Sequence, residues 1–367
     1  MRKLKLLSLM TMISITSSQA AERFGGIFFD SSVPAHQVYS LKEDLSYLYQ
    51  SDLKNIDDDF SLFFELEEVN GPTLYNWIYN RVKYVVGQDY RVRGRNYVTQ
   101  RGYQFPTSPL PESSAFHNTD AFGGVVVMSN IGAGLYLSGK KSKLLKGTKI
   151  NRQKVFATSP RVGILQIGEG LFLNSILIND ETNSEANKIK RLGTLFHEAR
   201  HSDGNSEHIG FNHHTCPEGH MLYGFSACEK YGNGSYQLEA IATKNLLANC
   251  STCSVEDKTK LEASIADAFD RVLTISHRKS EEQLLNEIES YKKVVDFYID
   301  FMVMSPSQNE TSQKELDRFT AMYEKAKGQL EELRNTPAPK MMDSTPEGEY
   351  SQVSTEESSK LIEASIK

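Results

Sequence analysis

The five residues His197-Glu198-Ala199-Arg200-His201 constrain this chain more than any other feature of its 367 residues. On a helix, residues four apart stand one above the other on the same face. His197 and His201 can therefore aim two imidazoles at one metal ion. Glu198 projects from the same stretch and can reach a water bound to that ion. Two neutral nitrogens beside a carboxylate are the donors a catalytic zinc needs to lower the pKa of water toward neutrality. A helix that merely carries two surface histidines is the bland alternative.

The flanks favour a helix built around the motif. Thr182-Asn183-Ser184-Glu185 reads as a capping box with Thr182 as N-cap and Glu185 at the third helical position. Ile189, Leu192 and Phe196 recur at helical spacing and predict a buried stripe. Ser202-Asp203-Gly204-Asn205 supplies the stop, with Gly204 as the left-handed residue. Arg200 is expected on the face away from the histidines, paired with an acid such as Asp203 or purely structural. Upstream, residues 162–167 and 171–173 read as strands. An H-E-x-x-H helix preceded by strands resembles the zincin metallopeptidases. The resemblance covers about a quarter of the chain. It implies an α+β, zincin-like catalytic domain with a small sheet and the H-E-x-x-H helix, followed here by a helical C-terminal region. It also implies Zn2+ as cofactor, a peptide or protein substrate, and Glu198 as general base.

A catalytic zinc takes a third protein ligand, and three sets compete for the place. Gluzincins bring a glutamate from a second helix, and Glu239, within Ser235-Tyr236-Gln237-Leu238-Glu239-Ala240-Ile241-Ala242, matches their E-x-x-A pattern. Where many of them carry aspartate, this chain has Thr243. Metzincins read H-E-x-x-H-x-x-G-x-x-H. Gly204 falls at the glycine, but Glu207 occupies the last place and His208 follows one residue late. The remaining set is His213, His214 and His220. Six of the nine histidines lie between positions 197 and 220. Glu239 is the preferred ligand and His208 its alternative, and each has an ordinary surface role as its plain counterpart. Tyr223, Tyr231, Tyr236 or His220 could supply a second donor to a developing oxyanion.

Compartment is legible at the N-terminus. Arg2, Lys3 and Lys5, a short apolar stretch over 6–15, and Ser18-Gln19-Ala20 make a secretory signal peptide over 1–20. We therefore expect a secreted or periplasmic protein with no integral membrane segment after cleavage. Export makes Cys216, Cys228, Cys250 and Cys253 disulfide candidates, with the local pairings 216–228 and 250–253 preferred over a four-thiolate zinc. The net charge of −6 and the lack of a long basic run leave no footprint for nucleic acid.

The rest divides by pattern into a mixed α/β region over 21–155, a catalytic segment over 156–255, a helical region over 256–335 and a disordered tail over 336–367. Leu74, Trp77, Ile78, Val82 and Val85 predict one amphipathic helix, and residues 123–137 a strand pair turning at Gly132-Ala133-Gly134. Three helical seams follow residue 256, broken at Ser305-Pro306-Ser307, and suggest a small bundle. The tail is rich in Pro, Ser, Thr and Glu. The function expected from all this is an exported zinc metallopeptidase. The alternatives are a non-catalytic zinc-binding envelope scaffold and a cell-wall amide hydrolase.

Overall fold

Short apolar runs become a central sheet. The computed structural model describes residues 22–92, 95–96, 127–132, 135, 148–151, 153–155, 161, 163–173, 177–203, 213–220, 222–229, 234–273, 281–304, 309–335 and 353–367. The expected export signal, Gly204, Glu207, His208 and Tyr231 lie outside them. In chain order the strands are β1 (Glu22–Phe24), β2 (Ile27–Phe29), β3 (Tyr84–Val86), β4 (Arg91–Val92), β5 (Arg95–Asn96), β6 (Met128–Asn130), β7 (Thr148–Ile150), β8 (Gln153–Val155), β9 (Ile164–Ile167), β10 (His214–Thr215) and β11 (Ser226–Cys228). Five form one mixed sheet in the order β1-β2-β3-β9-β6. β2, β3 and β9 run parallel, with Phe28 opposite Tyr84 and Val85 opposite Leu165. β6 closes the far edge antiparallel to β9, with Ser129 opposite Gln166.

Both faces of the sheet are covered, as parallel strands require. Val85, Leu165 and Ile167 point into the main core, while Val86 and Ile164 point to a smaller cluster with Tyr90, Ile131, Leu135, Ile150 and Val155. The main core is packed by α1 (Ala35–Gln50), α2 (Asp58–Phe64), α3 (Gly71–Tyr79), α4 (Glu185–Arg200), α5 (Ser235–Ala248) and α6 (Val255–Asp270). Phe64, Trp77 and Phe196 meet at its centre, with ring centroids 5.0–5.7 Å apart. Among the described residues one apolar cluster thus runs from Phe24 through Phe196 to Phe269.

α7 (Glu281–Met304) and α8 (Asn309–Asn335) form a hairpin. Their seam of Tyr291, Val294, Phe319, Met322 and Ala326 closes on Ala266 of α6. The opposite side of α6, through Leu261, Ile265 and Phe269, belongs to the main core, so one helix serves both layers. The last element, α9 (Thr355–Ile366), corrects the expectation of a disordered tail for those residues. The Ser and Glu content read there as disorder acts instead as a helix start: Ser354 and Glu357 form a capping box. Ile362 is fully buried, and Ser365 Oγ accepts from Gly25 N at 2.9 Å.

Four local expectations shift. The helix expected over 74–85 ends at Tyr79, and Val85 belongs to β3. The chain turns there against Gly163, whose φ is +46° and where a Cβ would lie 1.7 Å from the Arg81 carbonyl oxygen. Residues 169–172 form a 3-10 turn rather than a strand. Among the described residues of the expected strand pair, β6 is extended and the chain is helical at Ile131, Gly132 and Leu135. The cap of α4 is Ser184, whose Oγ accepts from Asn187 N, two residues later than expected. Both expected disulfides are present, Cys216–Cys228 and Cys250–Cys253. Among the described residues, no helix is long and apolar enough to cross a membrane.

A candidate metal centre

The motif occupies the last turn of α4, where Ile189, Leu192, Phe196 and Ala199 fix the buried side. Next to it lies α5, and the two helices touch at Gly193. A Cβ at that position would come within 2.3 Å of Thr243 Oγ1. This close crossing carries Glu239, one turn before Thr243, up to His197.

His197, His201 and His213 come together at the end of α4. His213 Nε2 lies 3.2 Å from His197 Nε2 and 3.3 Å from His201 Nε2. Two imidazole nitrogens about 2.0–2.1 Å from one tetrahedral zinc are about 3.3 Å apart, so the spacing suits a shared ion. The three residues form a group able to hold a metal.

The far side of each ring decides which nitrogen has a free lone pair. His197 Nδ1 faces Glu239 Oε2 at 3.0 Å. Burial would raise the Glu239 carboxyl, but Lys190, His197 and Arg271 outweigh it and bring it to about 2. An ionised carboxylate only accepts, so its place beside Nδ1 favours the tautomer that leaves Nε2 open to a metal. His201 Nδ1 lies 3.2 Å from Ser235 Oγ, an acceptor for its proton. Burial and the neighbouring histidines hold His213 well below the ordinary imidazole range, which keeps it neutral.

Glu239 therefore stands behind His197, on the nitrogen opposite the point where the three rings meet. Glu239, the expected third ligand, is thus outside the group that could hold a metal. Position along the chain brought it to the site, but the helix crossing at Gly193 sets it one layer out. His213 is the third member of that group. His213 comes from the third candidate set, His213, His214 and His220.

Glu198 is buried beside the group. Its Oε2 accepts from Asn130 N at 2.7 Å. Burial pushes its carboxyl up to about 8, against the pull of that N–H and with the repulsion of Glu239. Asn130 Nδ2 also donates to the Glu198 carbonyl at 2.6 Å and to Ser202 Oγ at 2.7 Å. Asn130 was not legible in the sequence, being 68 residues from Glu198. Beyond the motif, Asp203 accepts from Arg81 Nε at 2.7 Å and Arg200 Nη1 at 2.7 Å, and pairs with Arg161 Nη2 at 2.8 Å. This arginine cage fixes the exit of the helix. Arg200 thus pairs with Asp203 as expected.

Of the oxyanion candidates, Tyr236 packs on the centre, with its ring 4.4 Å from that of His197. Tyr223 is exposed, and His220 belongs to a second cluster with Cys216 and Cys228. In that cluster the two sulfurs are joined to each other. Leu222 N donates to His220 Nδ1 at 3.0 Å, which leaves the proton on Nε2, 3.1 Å from Asp270 Oδ2. The nitrogen facing the sulfurs thus has no lone pair to offer. His214 lies in β10 opposite Cys228, outside either group.

No family model, curated protein or solved structure matches the chain.

Proposed function

We propose that this protein is an exported, zinc-dependent metallopeptidase with His197, His201 and His213 as metal ligands and Glu198 as general base. One observation carries the proposal. Three imidazoles converge through Nε2, with the outer nitrogens of His197 and His201 directed at Glu239 and Ser235, and the buried carboxyl of Glu198 projects from the same helix. Three imidazole donors suit zinc among the common divalent ions, with a fourth position left for water. A divalent ion held there supplies Lewis acidity and lowers the pKa of water.

The chain's own residues do the rest. Glu198 takes a proton from the attacking water and returns it to the leaving amine. Asn130 N–H holds one oxygen of that carboxylate and so aims the other. Among the described residues β6 is the terminal strand of the sheet, and its Asn130 N–H is turned outward to Glu198. An extended peptide paired along that edge would pass the carboxylate, which favours a peptide substrate. The two disulfides agree with an oxidising compartment.

The test is Glu198→Gln. The variant is expected to bind zinc with the parent's stoichiometry and melt near the parent's temperature. Its peptidase activity against a peptide library should fall by about 10²–10⁴-fold. Undiminished hydrolysis by the variant would remove Glu198 from the reaction.

A further inference from the structure

The third histidine is held differently from the other two. His197 Nδ1 stands 3.0 Å from the Glu239 carboxylate and His201 Nδ1 3.2 Å from Ser235 Oγ, whereas His213 Nδ1 is buried with neither an ion pair nor a hydrogen bond among the described residues, and His197 Nδ1 likewise makes no hydrogen bond there. Aromatic packing touches the His213 ring instead. Tyr236 lies 4.8 Å from it, centroid to centroid, inclined by 34°. The same tyrosine covers His197. Tyr236 is the second residue of α5 and its hydroxyl accepts from Arg271 Nη1 at 3.0 Å. The Arg271 guanidinium also stands 4.7 Å from the Tyr236 ring centroid.

Arg271 is itself fixed from behind. Its Nε and Nη2 donate to Asp267 Oδ2 at 3.0 and 2.6 Å. Asp267 also pairs with Arg318 of α8. The Arg271 carbonyl accepts from Glu229 N at 2.7 Å, which ties Arg271 to the strand leading toward α5. A chain of contacts thus runs from the α7–α8 hairpin through Asp267 and Arg271 to the tyrosine that backs two of the three histidines.

We propose that Arg271 is a positioning residue of the metal centre, holding Tyr236 as the wall that sets where His213 stands. The proposal rests on the three-histidine site above. Metal–nitrogen distances tolerate only about 0.2 Å of error. A histidine with no hydrogen bond behind it depends on the ring it leans against. Tyr236 without Arg271 is free to tilt, and His213 follows it.

Cobalt(II) titration of the metal-free full chain tests this, with parent, Arg271→Met, Arg271→Lys, Tyr236→Phe and Tyr236→Leu compared by affinity and visible spectrum. The parent is expected to take one equivalent with a tetrahedral spectrum. Arg271→Met and Tyr236→Leu should bind about 10–100-fold more weakly, the loss typical when support behind a ligand is removed. Tyr236→Phe, which keeps the ring and deletes only the anchored hydroxyl, should lose less and shift the visible band in the same direction. Arg271→Lys should recover part of the affinity. Should Arg271→Met fail to fold, Tyr236→Phe decides. A parent that binds cobalt beside a Tyr236→Phe variant of equal affinity and identical band overturns the role of Arg271 alone. A parent that binds no cobalt overturns the metal site and this proposal together.

Discussion

Two groups of three donors lie within the same stretch of chain, and on the proposed reading only one shares a metal. His197, His201 and His213 meet through Nε2; Cys216, Cys228 and His220 are as closely gathered. The difference lies on the far side of each imidazole. Behind His197 is a carboxylate and behind His201 a hydroxyl, both able to take a proton from Nδ1. Behind His220 is a backbone N–H, which must be accepted by Nδ1 and so sends the ring's proton to Nε2. Asp270 receives that proton, and the sulfurs bond each other. On the proposed reading the first group binds a metal, while the second ties β10–β11 to the end of α6. Proximity of donors is therefore a weaker criterion than the partner of the remote nitrogen.

The comparison breaks most visibly at the third histidine. His213→Ala should lower zinc affinity beyond the roughly 100-fold upper end of losses caused by outer partners. His220→Ala should leave zinc stoichiometry unchanged, while leaving Asp270 and Leu222 N without their partner should cost about 1–3 kcal/mol of stability. Calorimetric zinc titration and thermal melting check the two arms. If His220→Ala released the zinc, the assignment of the two groups would be inverted.

A smaller effect sharpens it. Glu239→Ala removes the acceptor behind His197 and should weaken zinc about 10–100-fold without abolishing the site. Ser235→Ala, a neutral partner, should sit at the lower end of that range. Competition against a chelator measures both. Reduction of the chain gives the complementary test. Opening the Cys216–Cys228 loop should cost about 2–4 kcal/mol, yet add no second bound metal, because His220 still offers the wrong nitrogen. A thiolate charge-transfer band with cobalt after reduction would show otherwise.

The least dramatic consequence is acid sensitivity. Burial alone would raise the Asp203 carboxyl, but Arg81, Arg200 and Arg161 outweigh it and hold it below its ordinary range. Asp270 is likewise buried and pulled well down by His220 and Lys325. Both carboxyls have folded-state values below the unfolded value of about 3.9, so the stability they contribute is present above that pH and is lost as pH falls through the folded values. Asp203→Asn should therefore lower the melting temperature at pH 7 and much less near pH 2. A penalty independent of pH would mean the cage acts through packing.

The parts legible in the sequence are those written locally. The periodic stripe of Ile189, Leu192 and Phe196 shows the motif helix, and the paired seams show the α7–α8 hairpin. The short cysteine spacings fit the two disulfides found. The missing parts depend on contacts far apart in sequence. Asn130 reaches Glu198 from an edge strand, and nothing near either residue announces the meeting. Glu239 illustrates a subtler limit. A helical glutamate some tens of residues after the motif arrives at the right imidazole, but which nitrogen it meets depends on how closely α4 and α5 cross. Gly193 opposite Thr243 sets that distance. The final helix was misread because Ser and Glu serve both solvated tails and helix caps, and only the burial of Ile362 separates the two.

The most direct measurement is metal content of the purified chain at saturating zinc, parent beside His213→Ala and Glu239→Ala. One zinc per chain in the parent, retained in Glu239→Ala and absent from His213→Ala, is the expected result. Zinc that survives in His213→Ala and disappears from Glu239→Ala would contradict it and make the glutamate the ligand.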